Sequence, residues 1–162
     1  MKVLFLDIDG VLNSLDNVYS RIYLWKHSNK NKSRDEYGDI FDERCVRWLQ
    51  YIIEKTDCKI VVSSTWRKGG LKYIHNLWKF RNLPGEVIDI TPSVVDNNLI
   101  SLYGEEADRG YEIQQWIEDN SPERYCIVDD DNDMLSCQIF VKTDSAFGLT
   151  RKDAMKIIRI LK

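Results

Sequence analysis

The sequence predicts an α/β fold built on a mostly parallel sheet of five strands, and three observations carry that expectation. Short apolar runs alternate with amphipathic stretches along the whole chain. Five of those runs read as strands. The 162 residues contain no internal repeat and no Pro-rich linker, so the chain has the size and uniformity of one domain.

Residues 3–7 (VLFLD) read as a buried strand. Asp42 is placed to N-cap a helix over 42–55, in which Val46, Leu49, Ile52 and Ile53 share a face. Residues 59–64 (KIVVSS) form a second buried strand. Gly69-Gly70 breaks the chain before a helix over roughly 71–80, with Leu71, Ile74, Leu77 and Trp78 at helical spacing. Pro84-Gly85 marks a turn, and 86–90 (EVIDI) a third strand. Asp108 starts a helix through about Glu118 that turns Ile113, Trp116 and Ile117 inward. Residues 125–129 and 138–142 supply the fourth and fifth strands, and 151–161 a closing helix. Residues 14–41 show no sustained period. Irregular stretches of that length are uncommon in compact domains and usually functional or disordered. They are read as an insertion inside a single domain of residues 1–162.

Composition narrows the function classes. Hydrophobic residues make up 43% and charged residues 30%, the balance of a globular protein. A formal charge of −3 argues against bulk attraction to nucleic acid or an anionic membrane. No run approaches the ~18 apolar residues of a membrane span, and acids at Asp7 and Asp9 interrupt the N-terminal apolar run before it resembles a signal peptide. Cys45, Cys58, Cys126 and Cys137 form no C-x-x-C pair, and three of them sit in or beside apolar runs. A reducing, cytoplasmic setting is the expectation.

The chemistry gathers at four places, each at the C-terminal end of a predicted strand or a neighbouring helix start. In an open parallel sheet those ends converge on one crevice. The first is Leu6-Asp7-Ile-Asp9-Gly10-Val-Leu-Asn13. Residues two apart on a strand point the same way, so Asp7 and Asp9 aim together. Gly10 lets the backbone turn sharply out of the sheet. Close carboxylates repel unless a cation or shared proton relieves them, and a hard cation such as Mg²⁺ suits oxygen ligands. A solvated polar turn is the plainer alternative.

This segment resembles the first signature of the haloacid dehalogenase (HAD) superfamily, a Rossmann-like fold whose insertions after the first strand often act as caps. The resemblance implies Asp7 as nucleophile toward a phosphoryl group, and Asp9 as general acid and then base. The second place, Ile60-Val-Val-Ser63-Ser64-Thr65-Trp66-Arg67, is similar to the family's phosphate-binding hydroxyl motif. Three consecutive hydroxyls leave the assignment open, with Ser64 favoured and Thr65 next. Arg67 offers a bidentate phosphate contact. The third place, Asp108-Arg109-Gly-Tyr-Glu-Ile113, stands where many members carry a lysine, and there is none between Lys79 and Lys142. Arg109 is the candidate cation, against an arginine on a solvated helix face.

The fourth place, Cys126-Ile-Val-Asp129-Asp130-Asp131-Asn-Asp133, resembles the acid cluster that completes the family's Mg²⁺ site. The implied metal set is Asp7, Asp9 through its backbone carbonyl, Asp129 or Asp130, and Asp133 at longer range. A calcium EF-hand loop fails here, because Met134 and Phe140 replace the required Gly and Glu. Ile90-Thr-Pro92, the Arg109–Ile113 segment and the tail from Val141 to Thr150 also resemble the phosphatase-type domains of multi-part RNA repair proteins.

The expected activity is phosphomonoester hydrolysis through an aspartyl-phosphate. Residues 19–34 carry Arg21, Lys26, Lys30, Lys32 and Arg34 without an acid, interleaved with Tyr19, Tyr23, Trp25 and His27. Basic charge tracks phosphates and exposed rings stack on bases, which favours RNA or DNA ends or nucleotides as substrate. A mobile solvated loop accounts for the same composition. The alternatives are a small-metabolite phosphatase, an inactive phosphate- or nucleic-acid-binding module on the same fold, and a response-regulator-like phosphate receiver that would use Lys142.

Overall fold

The strands of the main sheet are apolar runs because helices cover both of their faces. The computed structural model describes residues 1–28, 33–93 and 107–162. In chain order these form β1 (Lys2–Leu6), α1 (Leu15–Ser28), β2 (Arg34–Asp35), β3 (Gly38–Asp39), α2 (Glu43–Thr56) and β4 (Lys59–Val62). A 3-10 turn (Thr65–Gly69), α3 (Leu71–Phe80) and β5 (Val87–Ile90) follow. Then come α4 (Asp108–Asn120), β6 (Arg124–Asp129), β7 (Phe140–Lys142) and α5 (Arg151–Leu161).

The sheet runs β5-β4-β1-β6-β7, and every pairing in it is parallel. The central strand is therefore β1, with Leu6 in register with Val62 on one side and Val128 on the other. Leu4 and Leu6 pack with Leu49 and Ile52 of α2, Ile74 and Leu77 of α3, and Ile157 and Ile158 of α5. Val3 and Phe5 alternate to the opposite face, against Ile113 and Trp116 of α4. Each such fully buried side chain contributes roughly 1.5–3 kcal/mol. Asp42 caps α2, accepting from the Arg44 N–H at 2.8 Å. Thr150 and Asp153 form a capping box at the start of α5.

Two elements depart from the expectation. Residues 14–41 are not without regular structure: they hold α1 and the antiparallel β2–β3 pair. The helix escapes notice because its described side chains are exposed or half-buried all round, so no apolar stripe marks it. Its start is fastened elsewhere, by the Leu15 and Asp16 N–H groups donating to Ser145 and Ala146 carbonyls. Lys30 and Lys32 of the basic segment lie outside the described residues. The fifth strand is also shorter than the run it was read from. Gln138 folds its side chain onto the Gly110 carbonyl (2.8 Å) and the Leu135 N–H (3.0 Å) and closes the acidic loop instead.

Candidate functional site

Strand β1 delivers Asp7 one residue beyond its last sheet pair, with the Asp7 N–H still donating to the Val128 carbonyl at 3.0 Å. The chain then wraps around one atom: the Val11, Leu12 and Asn13 N–H groups all approach the Ile8 carbonyl. Gly10 makes that turn with φ +75°. Thr143, buried after β7, donates its hydroxyl to the Gly10 carbonyl at 2.9 Å, and the Leu149 N–H donates to the Val11 carbonyl at 2.8 Å. The loop holding both aspartates is thus braced from the far end of the chain.

Carboxylate oxygens of Asp7, Asp129 and Asp130 lie within 4.8 Å of one another. Asp7 and Asp129 are buried, and Asp130 is half-buried directly over Gly10. Burial and then the neighbouring Asp129 push the Asp7 carboxyl well above its ordinary range, against the Ser64 hydrogen bond and the Arg109 charge. Burial likewise raises Asp129 and Asp130. Three crowded, part-desolvated oxygen donors with too little positive charge between them fit a hard divalent cation such as Mg²⁺.

The other residues read from the sequence distribute as follows. Of the three hydroxyls, Ser64 is buried close enough to Asp7 to favour its ionised form and caps the 3-10 turn, accepting from the Trp66 N–H at 3.5 Å. Ser63 is buried with its hydroxyl unpartnered, and Thr65 is exposed at the start of that turn. Arg109, at the start of α4, sets its Nε 3.9 Å from Asp129 Oδ2. Arg67 is buried; its Nη1 donates to the Ser64 carbonyl at 2.9 Å and its Nη2 pairs with Glu112. Glu112 also lies 3.9 Å from Arg109, so one glutamate bridges both arginines. Asp133 stands apart from the three-acid group and accepts the Arg109 N–H at 3.2 Å, a favourable charge at a helix N-terminus. The Asp9 side chain also points elsewhere: it is exposed and accepts from Trp66 Nε1 at 2.9 Å and Asn13 Nδ2 at 3.3 Å.

Several participants had no role assigned by sequence reasoning. Glu112 was readable in principle, since residues three apart on a helix are neighbours and Arg109 sits at that spacing. Trp66, 57 positions from Asp9, carried no signal. Thr143 acts through its hydroxyl on a loop more than a hundred residues away, and no local pattern reports it. Lys142, read from the sequence only for the receiver alternative, ends β7 close enough to Asp130 to favour its ionised form, though burial still holds that carboxyl up.

A parallel sheet in this strand order, with acids at the ends of its central strand and its neighbour, defines an α/β domain of the haloacid dehalogenase class. The chain belongs to the family described as the HAD domain in Swiss Army Knife RNA repair proteins, whose model matches residues 3–154. No curated protein and no solved structure matches it significantly. Among the described residues, no helix is long and apolar enough to cross a membrane.

Proposed function

We propose that the chain is a Mg²⁺-dependent phosphomonoesterase working through an aspartyl-phosphate, with nucleic-acid ends, above all a 3′-phosphate, or nucleotides as substrate. The observation that carries this reading is the approach of Asp7, Asp129 and Asp130 within 4.8 Å at neighbouring strand ends, with Arg109 beside them. The family's occurrence in RNA repair proteins supports the substrate class. So do the exposed Tyr19, Tyr23 and Trp25 of α1, together with Lys26.

The Asp7 carboxylate attacks phosphorus while the bond to the leaving oxygen breaks, and the Asp9 carboxyl gives that oxygen its proton. Water then attacks the aspartyl-phosphate, Asp9 takes the water's proton, and Asp7 and inorganic phosphate are released. Ser64 and Arg109 hold the equatorial oxygens, where negative charge spreads, and Arg67 keeps the Ser64 segment in place through its bonds to the Ser64 carbonyl and Glu112. Magnesium held by Asp7, Asp129 and Asp130 would neutralise charge on the acids and on the phosphoryl group.

Phosphate release from a 3′-phosphorylated oligonucleotide, nucleoside monophosphates and an aryl phosphate tests the reading, with Mg²⁺ present or chelated. Release is expected to require both Mg²⁺ and Asp7, to vanish in Asp7→Asn, and to be fastest on the oligonucleotide. Release from small phosphates alone would assign a metabolite phosphatase instead. Turnover by Asp7→Asn would remove Asp7 as nucleophile, and no release from any substrate would favour a binding module.

A further inference from the structure

We infer that Trp66 is the residue that positions Asp9 for proton transfer, and that the β2–β3 hairpin of the insertion braces it through Arg81. The inference rests on the general-acid role proposed above for Asp9. Asp9 is exposed, and without help its carboxyl would sample several rotamers. The Asn13 amide approaches one oxygen at 3.3 Å; the indole N–H of Trp66 reaches the other at 2.9 Å. The tighter hold is therefore the tryptophan's.

Trp66 is itself fixed. Its ring meets Phe41 edge-on, with centroids 5.5 Å apart and planes at 63°. The Arg81 guanidinium lies 4.3 Å from the Phe41 centroid and 5.6 Å from that of Trp66. Two bonds to Asp35, of 2.8 and 2.7 Å, and a third to the Gly38 carbonyl at 3.3 Å anchor that guanidinium to the hairpin. Gly38 faces the tryptophan ring closely, so that a Cβ there would come into van der Waals contact with Trp66 Cη2 at 3.4 Å. A continuous set of contacts runs from the insertion to Asp9.

The donor type matters. An indole is neutral, so it orients the carboxyl without placing a cation on the group that must carry the proton. It also offers a single hydrogen, which leaves lone pairs on the carboxyl for the transferred proton. The effect should show only where the proton is needed. A nitrophenolate leaves unaided, whereas the alkoxide of a sugar 3′-oxygen does not.

The test is kcat/KM, which reports the steps through departure of the leaving group, for an alkyl phosphate and for 4-nitrophenyl phosphate. In Asp9→Asn the alkyl-to-aryl ratio is expected to fall roughly 10²–10⁴-fold. Trp66→Phe keeps a ring against Phe41 and removes the N–H, and should lower the ratio about tenfold. Asp35→Asn leaves the tryptophan in place, loosens Arg81 and should lower the ratio by a smaller factor. It also serves as the reporting variant should Trp66→Phe not fold. An unchanged ratio in the folded Trp66→Phe protein, beside a fallen one in Asp9→Asn, overturns the positioning role and leaves the phosphatase reading standing. An unchanged ratio in Asp9→Asn overturns the general-acid role of Asp9 and with it the positioning role, whereas the phosphatase reading falls only if release of phosphate does not depend on Asp7 and Mg²⁺.

Discussion

Gly10 shows how one missing side chain can hold an acid cluster together. Its φ of +75° lies where a Cβ is disfavoured, and a Cβ built there would fall 2.2 Å from Asp130 Cγ. Gly10→Ala therefore costs roughly 1–2 kcal/mol in backbone conformation and also displaces Asp130 from Asp7 and Asp129. The expected outcome is a lower Tm and loss of the Tm increase on adding Mg²⁺, both read by calorimetry with and without chelator. The buried strand leading into Asp7 and the sharp turn at Gly10 were legible from an apolar run that breaks into D-x-D-G, but the common aim expected of Asp7 and Asp9 is not what the turn gives. The convergence of Asp129 and Asp130 on Asp7 could be expected from their place at a strand end. The partners of Asp9 could not. Side-chain directions after the strand depend on the turn around the Ile8 carbonyl, and that turn aims Asp7 and Asp9 at different neighbours.

At the scale of elements, what could be read was what packs. The five strands announce themselves because burial on both faces demands continuous apolar runs. The periods of α2, α3, α4 and α5 mark the faces that meet the sheet. Helix α1 has no such face, and its large side chains look outward: Tyr19 is 67% exposed and Tyr23 61%. They stand four residues apart on one side of the helix, and the Tyr23 ring stacks on His27 at 4.2 Å. If this side serves as a platform for unpaired bases, its contribution belongs to substrate binding and not to the core. Tyr19→Ala with Tyr23→Ala is then expected to change thermal stability within about 0.5 kcal/mol per site. The same pair should raise KM for a 3′-phosphorylated oligonucleotide by an amount equivalent to roughly 1–3 kcal/mol per stacked base. An unchanged oligonucleotide KM would remove α1 from the substrate path.

Across the whole molecule, stability and pH are linked with opposite signs at two places. In the metal-free protein the Asp7, Asp129 and Asp130 carboxyls are raised by burial, so the folded state binds more protons than the unfolded chain. Stability then falls as pH rises from the ordinary carboxyl value of 3.8 toward the raised ones. Burial opposes ionisation of Asp42 and Asp35, but for Asp42 the hydrogen bonds from Arg44 and Ser14 with the Arg44 charge, and for Asp35 those from Arg81 and the Tyr37 N–H with the Arg81 charge, together outweigh it and hold both low. Their stabilisation is present above 3.8 and is lost as pH drops through the lowered values. The chelated protein is expected to be most stable in mildly acidic buffer, and Mg²⁺ to stabilise it increasingly toward neutral pH. Tm measured across pH with Mg²⁺ or chelator checks both; a Mg²⁺ increment independent of pH would count against metal binding by these acids.

The bonds from Thr143 and Leu149 to the Gly10 and Val11 carbonyls set an order in time. A ribosome makes the Asp7–Asn13 loop more than a hundred residues before these clasps, on the order of ten seconds earlier. Throughout that interval the loop has its aspartates but not the contacts that hold them, so a nascent chain stopped short of the clasp would carry the reactive motif in an unassembled form.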